Sequence, residues 1–170
     1  MRAEKTRGRE KELPPGTLET DAVEVRTLTS ADLDQVVRID KEWTGRNRRE
    51  YYQLKLKEAE RDTGVKISLA ALLDGQIAGF LLGRLYYGEF GRPEPVALLD
   101  SIAASKAVSG RHVGDALMRQ LRMNLDALGI ERIETVVDWK QIDLLSFFAK
   151  EGFRPAPRLC LEMEVERPVE

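Results

Sequence analysis

The sequence holds one cysteine and one histidine in 170 residues. Cys160 alone cannot form an internal disulfide, and together with His112 it falls short of the ligand set of a zinc site, so no metal is expected. Long apolar runs are missing as well. None approaches the ~20 residues that cross a bilayer, and charges stand where a signal peptide would need an apolar stretch. No sign of charge dominates either: 27 Lys and Arg face 29 Asp and Glu, a net charge of -2 that offers nucleic acid no general attraction. The expectation is a cytoplasmic protein with neither a nucleic-acid nor a membrane partner. What is present, 42% hydrophobic and 33% charged residues, is ordinary for a globular chain, and the length suits one domain with one site.

Residues 1–21 carry five basic and five acidic side chains, then Pro14, Pro15 and Gly16, with almost nothing apolar to bury. Such a segment cannot offset its ordering entropy and is expected to be a loose charged tail. A single domain is expected over 22–168. It opens with a short strand through Val23, Val25 and Leu28. Thr29 or Ser30 then caps a helix marked by Leu33, Val36, Val37 and Trp43. Asn47 and Glu50 resemble a capping box for a second helix with Tyr52, Leu56 and Ala59 on its apolar stripe, ending near Gly64. Apolar residues at every second position from Val65 to Leu73 predict a strand, Asp74-Gly75 a type I′ turn, and Gln76 to about Tyr87 the returning strand. Val96–Ala104 reads as a buried central strand in which Asp100 and Ser101 are unexplained polar residues.

Val113, Leu117, Leu121, Leu125 and Leu128 then mark one face of a strong helix with Gly129 at its C-terminal end. A strand over Arg132–Val137 and a helix over Ile142–Lys150 ended by Gly152 follow. Leu159, Leu161, Met163 and Val165 predict the buried face of a final strand. This order implies an α/β sandwich on a mixed sheet.

The chemically informative stretch joins the Leu98–Ala104 strand to Ser109-Gly110-Arg111-His112-Val113-Gly114-Asp115. A strand feeding a glycine-containing turn that opens a helix aims unpaired N–H groups at one spot, where the helix dipole also favours an anion such as a pyrophosphate. It lacks the Gly-Lys-Ser/Thr of a P-loop and the Gly-x-Gly-x-x-Gly of a dinucleotide fold. Taken alone, the pattern fits an ordinary loop equally well.

Three pieces of the chain resemble the GNAT superfamily of N-acetyltransferases: the Asp74–Phe80 hairpin, the Leu99–Ala116 stretch, and Leu144–Phe153 with its Gly-Phe ending. The resemblance implies a mostly antiparallel central sheet flanked by helices and splayed at the central strands, with acetyl-CoA as cosubstrate. The family's Gln/Arg-x-x-Gly-x-Gly/Ala loop fits in two registers. One takes Arg111, Gly114 and Ala116; the other, preferred because it keeps the helix start in phase, takes Ser109, His112 and Gly114. The pantetheine arm is then expected beside Ile102, Ala103 and Ala104, the pyrophosphate beside Ser109, Gly110, Arg111, His112, Val113, Gly114 and Asp115, and the cofactor's reactive end beside Phe147 and Phe148.

Acetyl transfer to an amine needs a neutral amine, donors for the developing oxyanion, and a proton for the departing thiolate. Asp100 is the candidate base, because a carboxylate in an apolar strand faces a cleft or needs a buried partner. Asp138 is the second, with capping the Ile142 helix as its plain alternative. Glu134 is assigned to a solvated or hydrogen-bonded strand face, His112 to the loop, Cys160 to a free thiol. The Arg46, Arg48 and Arg49 run would border the acceptor site. Many relatives carry a Tyr in the last helix as the acid, and Phe148 stands at that position here. The expectation is therefore an N-acetyltransferase acting on a small-molecule or protein amine. A catalytically weak or silent acyl-CoA-binding module is the alternative, and the sequence leaves a homodimer open.

Overall fold

The computed structural model describes residues 23–61, 67–87, 91 and 93–165. It divides into two compact units, one up to Val136 and the other from Val137 on. In the first unit β1 (Glu24–Thr27) precedes α1 (Leu33–Thr44) and α2 (Arg49–Arg61), then come β2 (Leu69–Leu73), β3 (Gln76–Tyr86), β4 (Val96–Ala104), α3 (Val113–Asp126) and β5 (Ile133–Thr135). The second unit holds α4 (Ile142–Lys150). The strands lie in the order β1-β2-β3-β4-β5, antiparallel except for the parallel β4–β5 pair, which is the mixed, mostly antiparallel sheet the sequence implied. Among the described residues no helix is long and apolar enough to cross a membrane.

Local chemistry fixes several of the element ends. The Asp32 carboxylate accepts the Thr29 N–H at 2.9 Å and both Nη atoms of Arg26 at 2.8 Å, closing the turn before α1. Asp74 (φ 50°) and Gly75 (φ 75°) both take the left-handed values a type I′ turn demands. α3 and α4 end alike. Gly129 and Gly152 have positive φ, the next N–H bonds five residues back (Ile130 to Leu125, Phe153 to Phe148), and the Phe153 ring rests 4.9 Å from that of Phe148.

The sheet of the first unit is covered on both faces. Ala70, Phe80 and Leu82 pack with Val36, Val37, Ile39, Tyr52 and Leu56 of α1 and α2. The alternate residues of β3 face α3, so closely at Gly79 that a Cβ there would lie 2.6 Å from Val113 Cγ1. This double cover explains why Leu69, Ala70, Ala71 and Leu73 of β2 are all buried although the alternation marked a single face.

Two expectations fail. Trp43, read as part of the buried stripe of α1, is 55% exposed. The final strand does not form: residues 158–165 have no strand pairing, and Leu159, Leu161, Met163 and Val165 are all exposed. Period-two alternation leads to burial only where a sheet accepts the segment, and the second unit contains no other strand among its described residues. The loose tail, Gly64 and Val65 lie outside the described residues.

Candidate functional site

The site grows out of β4. One edge of this strand pairs with β3 from Val96 to Ala104; the other pairs with β5 only from Ala97 to Leu99. The Thr135 hydroxyl donates to the Leu99 carbonyl at 3.1 Å at the last paired position. Beyond it, from Asp100 to Ala104, that edge has no strand partner among the described residues. Gly79 and Ala104 stand opposite each other, and the Ser105 N–H goes to the Ala78 carbonyl at 2.8 Å. This is the non-hydrogen-bonded pair of an antiparallel ladder, so the N–H and C=O of Ala104, and by alternation those of Ile102, point out of the open edge. Ala103 between them turns its backbone groups to β3.

The polar residues of β4 have a geometric reason. Leu82 pairs with Ser101 but Gly83 pairs with Leu99, which leaves Asp100 as the extra residue of a β-bulge. The bulge brings Asp100 and Ser101 to the same side, toward α2. The Asp100 carboxylate lies 3.4 Å from Lys55 Nζ and 3.5 Å from Arg84 Nε, and Ser101 lies close enough to the Tyr52 hydroxyl to lower its pKa. Burial lowers the pKa of Lys55, but the charges of Asp100 and Glu58 outweigh it and raise the net value, so this ammonium stays protonated. These groups line a cavity of about 270 Å³ with Leu28, Ile67 and Leu82 on its apolar side.

Past the open edge the chain makes a short turn and enters α3. The Ser109 N–H donates to Lys106 and the Arg111 N–H to Val108, so these two amides are used within the loop. Gly110 (φ 80°) and His112 (φ 56°) both adopt left-handed backbone. The His112 ring makes no cap; its Nδ1 lies 2.6 Å from an Asp115 oxygen. The N–H groups of Val113, Gly114 and Asp115 open the helix, where an α-helix offers no internal acceptor. The left-handed value at His112 is one that glycine takes without penalty and an ordinary side chain resists.

The remaining candidates are placed as follows. Phe147 and Phe148 lie on α4 in the second unit, ring centroids 5.4 Å apart, with Phe148 buried. Asp138 belongs to the same unit, where its carboxylate accepts the Lys140 N–H at 2.9 Å, a local turn ahead of α4. Asp100 and Asp138 thus fall in different units. Glu134 accepts the Tyr86 hydroxyl at 2.6 Å, the hydrogen-bonded role expected of it. Cys160 is a free, exposed thiol. The arginine run is largely structural: Arg48 pairs with buried Asp40, which also accepts the Tyr52 hydroxyl at 2.8 Å, and Arg49 pairs with Asp34 at 2.6 Å. Burial, then the bond to Asp40, raises the Tyr52 phenol well above its ordinary pKa and keeps it neutral. Sequence reasoning missed Lys55 and Arg84 as the partners of Asp100. Asp40, a carboxylate one helical turn from Val36 and Val37, was a detectable signal.

Residues 33–153, more than half of the chain, match the acetyltransferase (GNAT) family. The chain belongs to that family. No curated protein matches it significantly in sequence. Solved structures resemble it in fold. The aminoglycoside N-acetyltransferase AAC(6')-Iy in complex with CoA superposes with a TM-score of 0.70 at 16% identity, over 89% of this chain and 99% of that one. A transcriptional regulator from Bacillus halodurans C-125 gives 0.68 at 22%, over 85% and 100%. A ribosomal-protein-alanine N-acetyltransferase from Brucella melitensis biovar Abortus 2308 gives 0.67 at 14%, over 85% and 100%.

Proposed function

We propose that the chain is an N-acetyltransferase that moves the acetyl group of acetyl-CoA to a primary amine of a small molecule or a protein, by direct attack in a ternary complex. One observation carries the reading: the open edge of β4 runs directly into the turn that opens α3. The outward backbone groups of Ile102 and Ala104 suit a pantetheine arm, whose amides pair as a strand would. The first-turn N–H groups of Val113, Gly114 and Asp115, with the positive end of the helix dipole, suit a pyrophosphate. Bound there, acetyl-CoA supplies an acetyl group activated as a thioester. Asp100, turned off the strand by the bulge beside this edge, takes the proton that the attacking amine must lose, and Lys55 and Arg84 hold its carboxylate in place.

The same ion pairs favour a second reading. A carboxylate shared by two cations is already occupied, which describes a catalytically quiet acyl-CoA-binding module. Release of CoA from acetyl-CoA against a broad pool of amines separates the two. The enzyme reading expects release that falls about 10²-fold or more in Asp100→Asn, the scale of a lost general base, with CoA binding retained. Undiminished release in that variant removes Asp100 from the chemistry. Binding without release in the parent supports the quiet module.

A further inference from the structure

The C-terminal turn of α1 reaches the mouth of the open edge. The Glu42 carboxylate accepts the Ser105 hydroxyl at 3.0 Å and the Lys106 N–H at 2.7 Å, clamping the loop that leaves β4. Beside it, Trp43 Nε1 donates to the Ala104 carbonyl at 2.7 Å, and the Lys106 ammonium lies 4.9 Å from the centre of the indole. The Ala104 carbonyl is one of the groups that point out of the edge. A donor to an sp² carbonyl lies near the carbonyl plane, along its lone pairs, and at an open sheet edge that is the line taken by the N–H of an incoming strand. The half-exposed ring therefore stands where a pairing chain must arrive, and burial alone does not account for its position.

We propose that Trp43 is a cofactor-site residue that guards this edge: in the free protein its indole N–H occupies the Ala104 carbonyl, and the pantetheine arm of acetyl-CoA displaces it on binding. The inference rests on the acetyl-CoA reading above. Breaking the indole bond subtracts from the affinity, so the guard makes cofactor binding weaker than the open edge alone would allow.

Calorimetric titration of CoA into the full chain and into Trp43→Phe tests it. The phenyl ring keeps the aromatic surface under Lys106 but has no N–H, and the loss of one such bond corresponds to binding tighter by about threefold to tenfold. A second measurement does not depend on that variant. The chain has two tryptophans, so in Trp139→Phe the remaining emission reports Trp43, and saturating CoA is expected to change its intensity or wavelength. Tighter binding in Trp43→Phe together with an emission change supports the guard. Unchanged or weaker binding in that variant, or silent emission while CoA binds, overturns it and leaves the acetyl-CoA reading intact. Binding of CoA by neither protein overturns both.

Discussion

At His112 the backbone holds φ 56°, a value that costs an ordinary residue about 1–2 kcal/mol. A glycine would take it freely but would add about 0.5–1 kcal/mol of chain entropy to the cost of folding. These terms largely cancel, so His112→Gly is expected to leave stability within about 1 kcal/mol of the parent in a urea titration. Removing the Cβ from the turn is expected to tighten CoA binding. A marked loss of stability would mean that the contact with Asp115 holds the turn, and weaker CoA binding would argue that the imidazole itself helps to hold the cofactor. In the loop register preferred from sequence, His112 stood where the family carries a glycine. Its left-handed backbone was not legible, because that depends on how the turn leaves β4. Asp100 was legible in the same partial way: a carboxylate in an apolar strand called for a partner, but Lys55 lies 45 positions earlier and nothing local pointed to it.

At the scale of elements, the contact that joins β3, β4 and α3 is the close approach at Gly79. A Cβ there would meet Val113 Cγ1 at 2.6 Å and the Ala103 carbonyl oxygen at 2.9 Å, one a side chain at the start of α3 and the other backbone of the neighbouring strand. Gly79→Ala is therefore expected to cost about 1–3 kcal/mol by overpacking. It should also weaken CoA binding, because the atoms it displaces belong to the elements that carry the open edge and the helix turn. Calorimetry and a denaturation curve on the same variant would check both effects, and parental values in each would contradict this account of the packing.

The turn before α1 adds a pH dependence. The Arg26 fork, followed by the bonds from Thr29, holds the Asp32 carboxyl below its ordinary value against the opposing effect of burial. A carboxylate depressed in the folded state contributes stability that is complete above its unfolded pKa, about 3.9, and is lost as pH falls from there through the lower folded value. The stability difference between the parent and Asp32→Asn is thus expected to be constant near neutrality and to shrink below about pH 4. A difference that widened on acidification would reverse the assignment. Helix ends and hairpin turns of this kind were readable from sequence because Thr29, Asp74-Gly75, Gly129 and Gly152 act on their immediate neighbours. The strand expected at Leu159–Val165 was misread for the opposite reason: alternation states which face a strand would bury, and whether a sheet edge receives it is decided elsewhere in the chain.

For the whole molecule, the Asp74–Phe80 hairpin, the Leu99–Ala116 stretch and the Leu144–Phe153 segment, in that order, were enough to indicate the family, and residues 33–153 match it. The acceptor was not legible, because acceptor pockets are built by loops with no shared motif, and the partners of Asp100, Lys55 and Arg84, come from segments far apart in sequence. Everything proposed for this chain depends on the open edge of β4 and the turn into α3 forming an acetyl-CoA site. Thermal melting of the full chain with and without acetyl-CoA tests it most directly. A ligand bound only by the native state adds about 2.7 kcal/mol at a hundred times its Kd, and at this chain length each kcal/mol raises the midpoint by roughly 2–4 °C. Acetyl-CoA and CoA are expected to raise the midpoint by several degrees, and ATP and NAD by less. An unchanged melting curve at millimolar acetyl-CoA would contradict an acetyl-CoA site there.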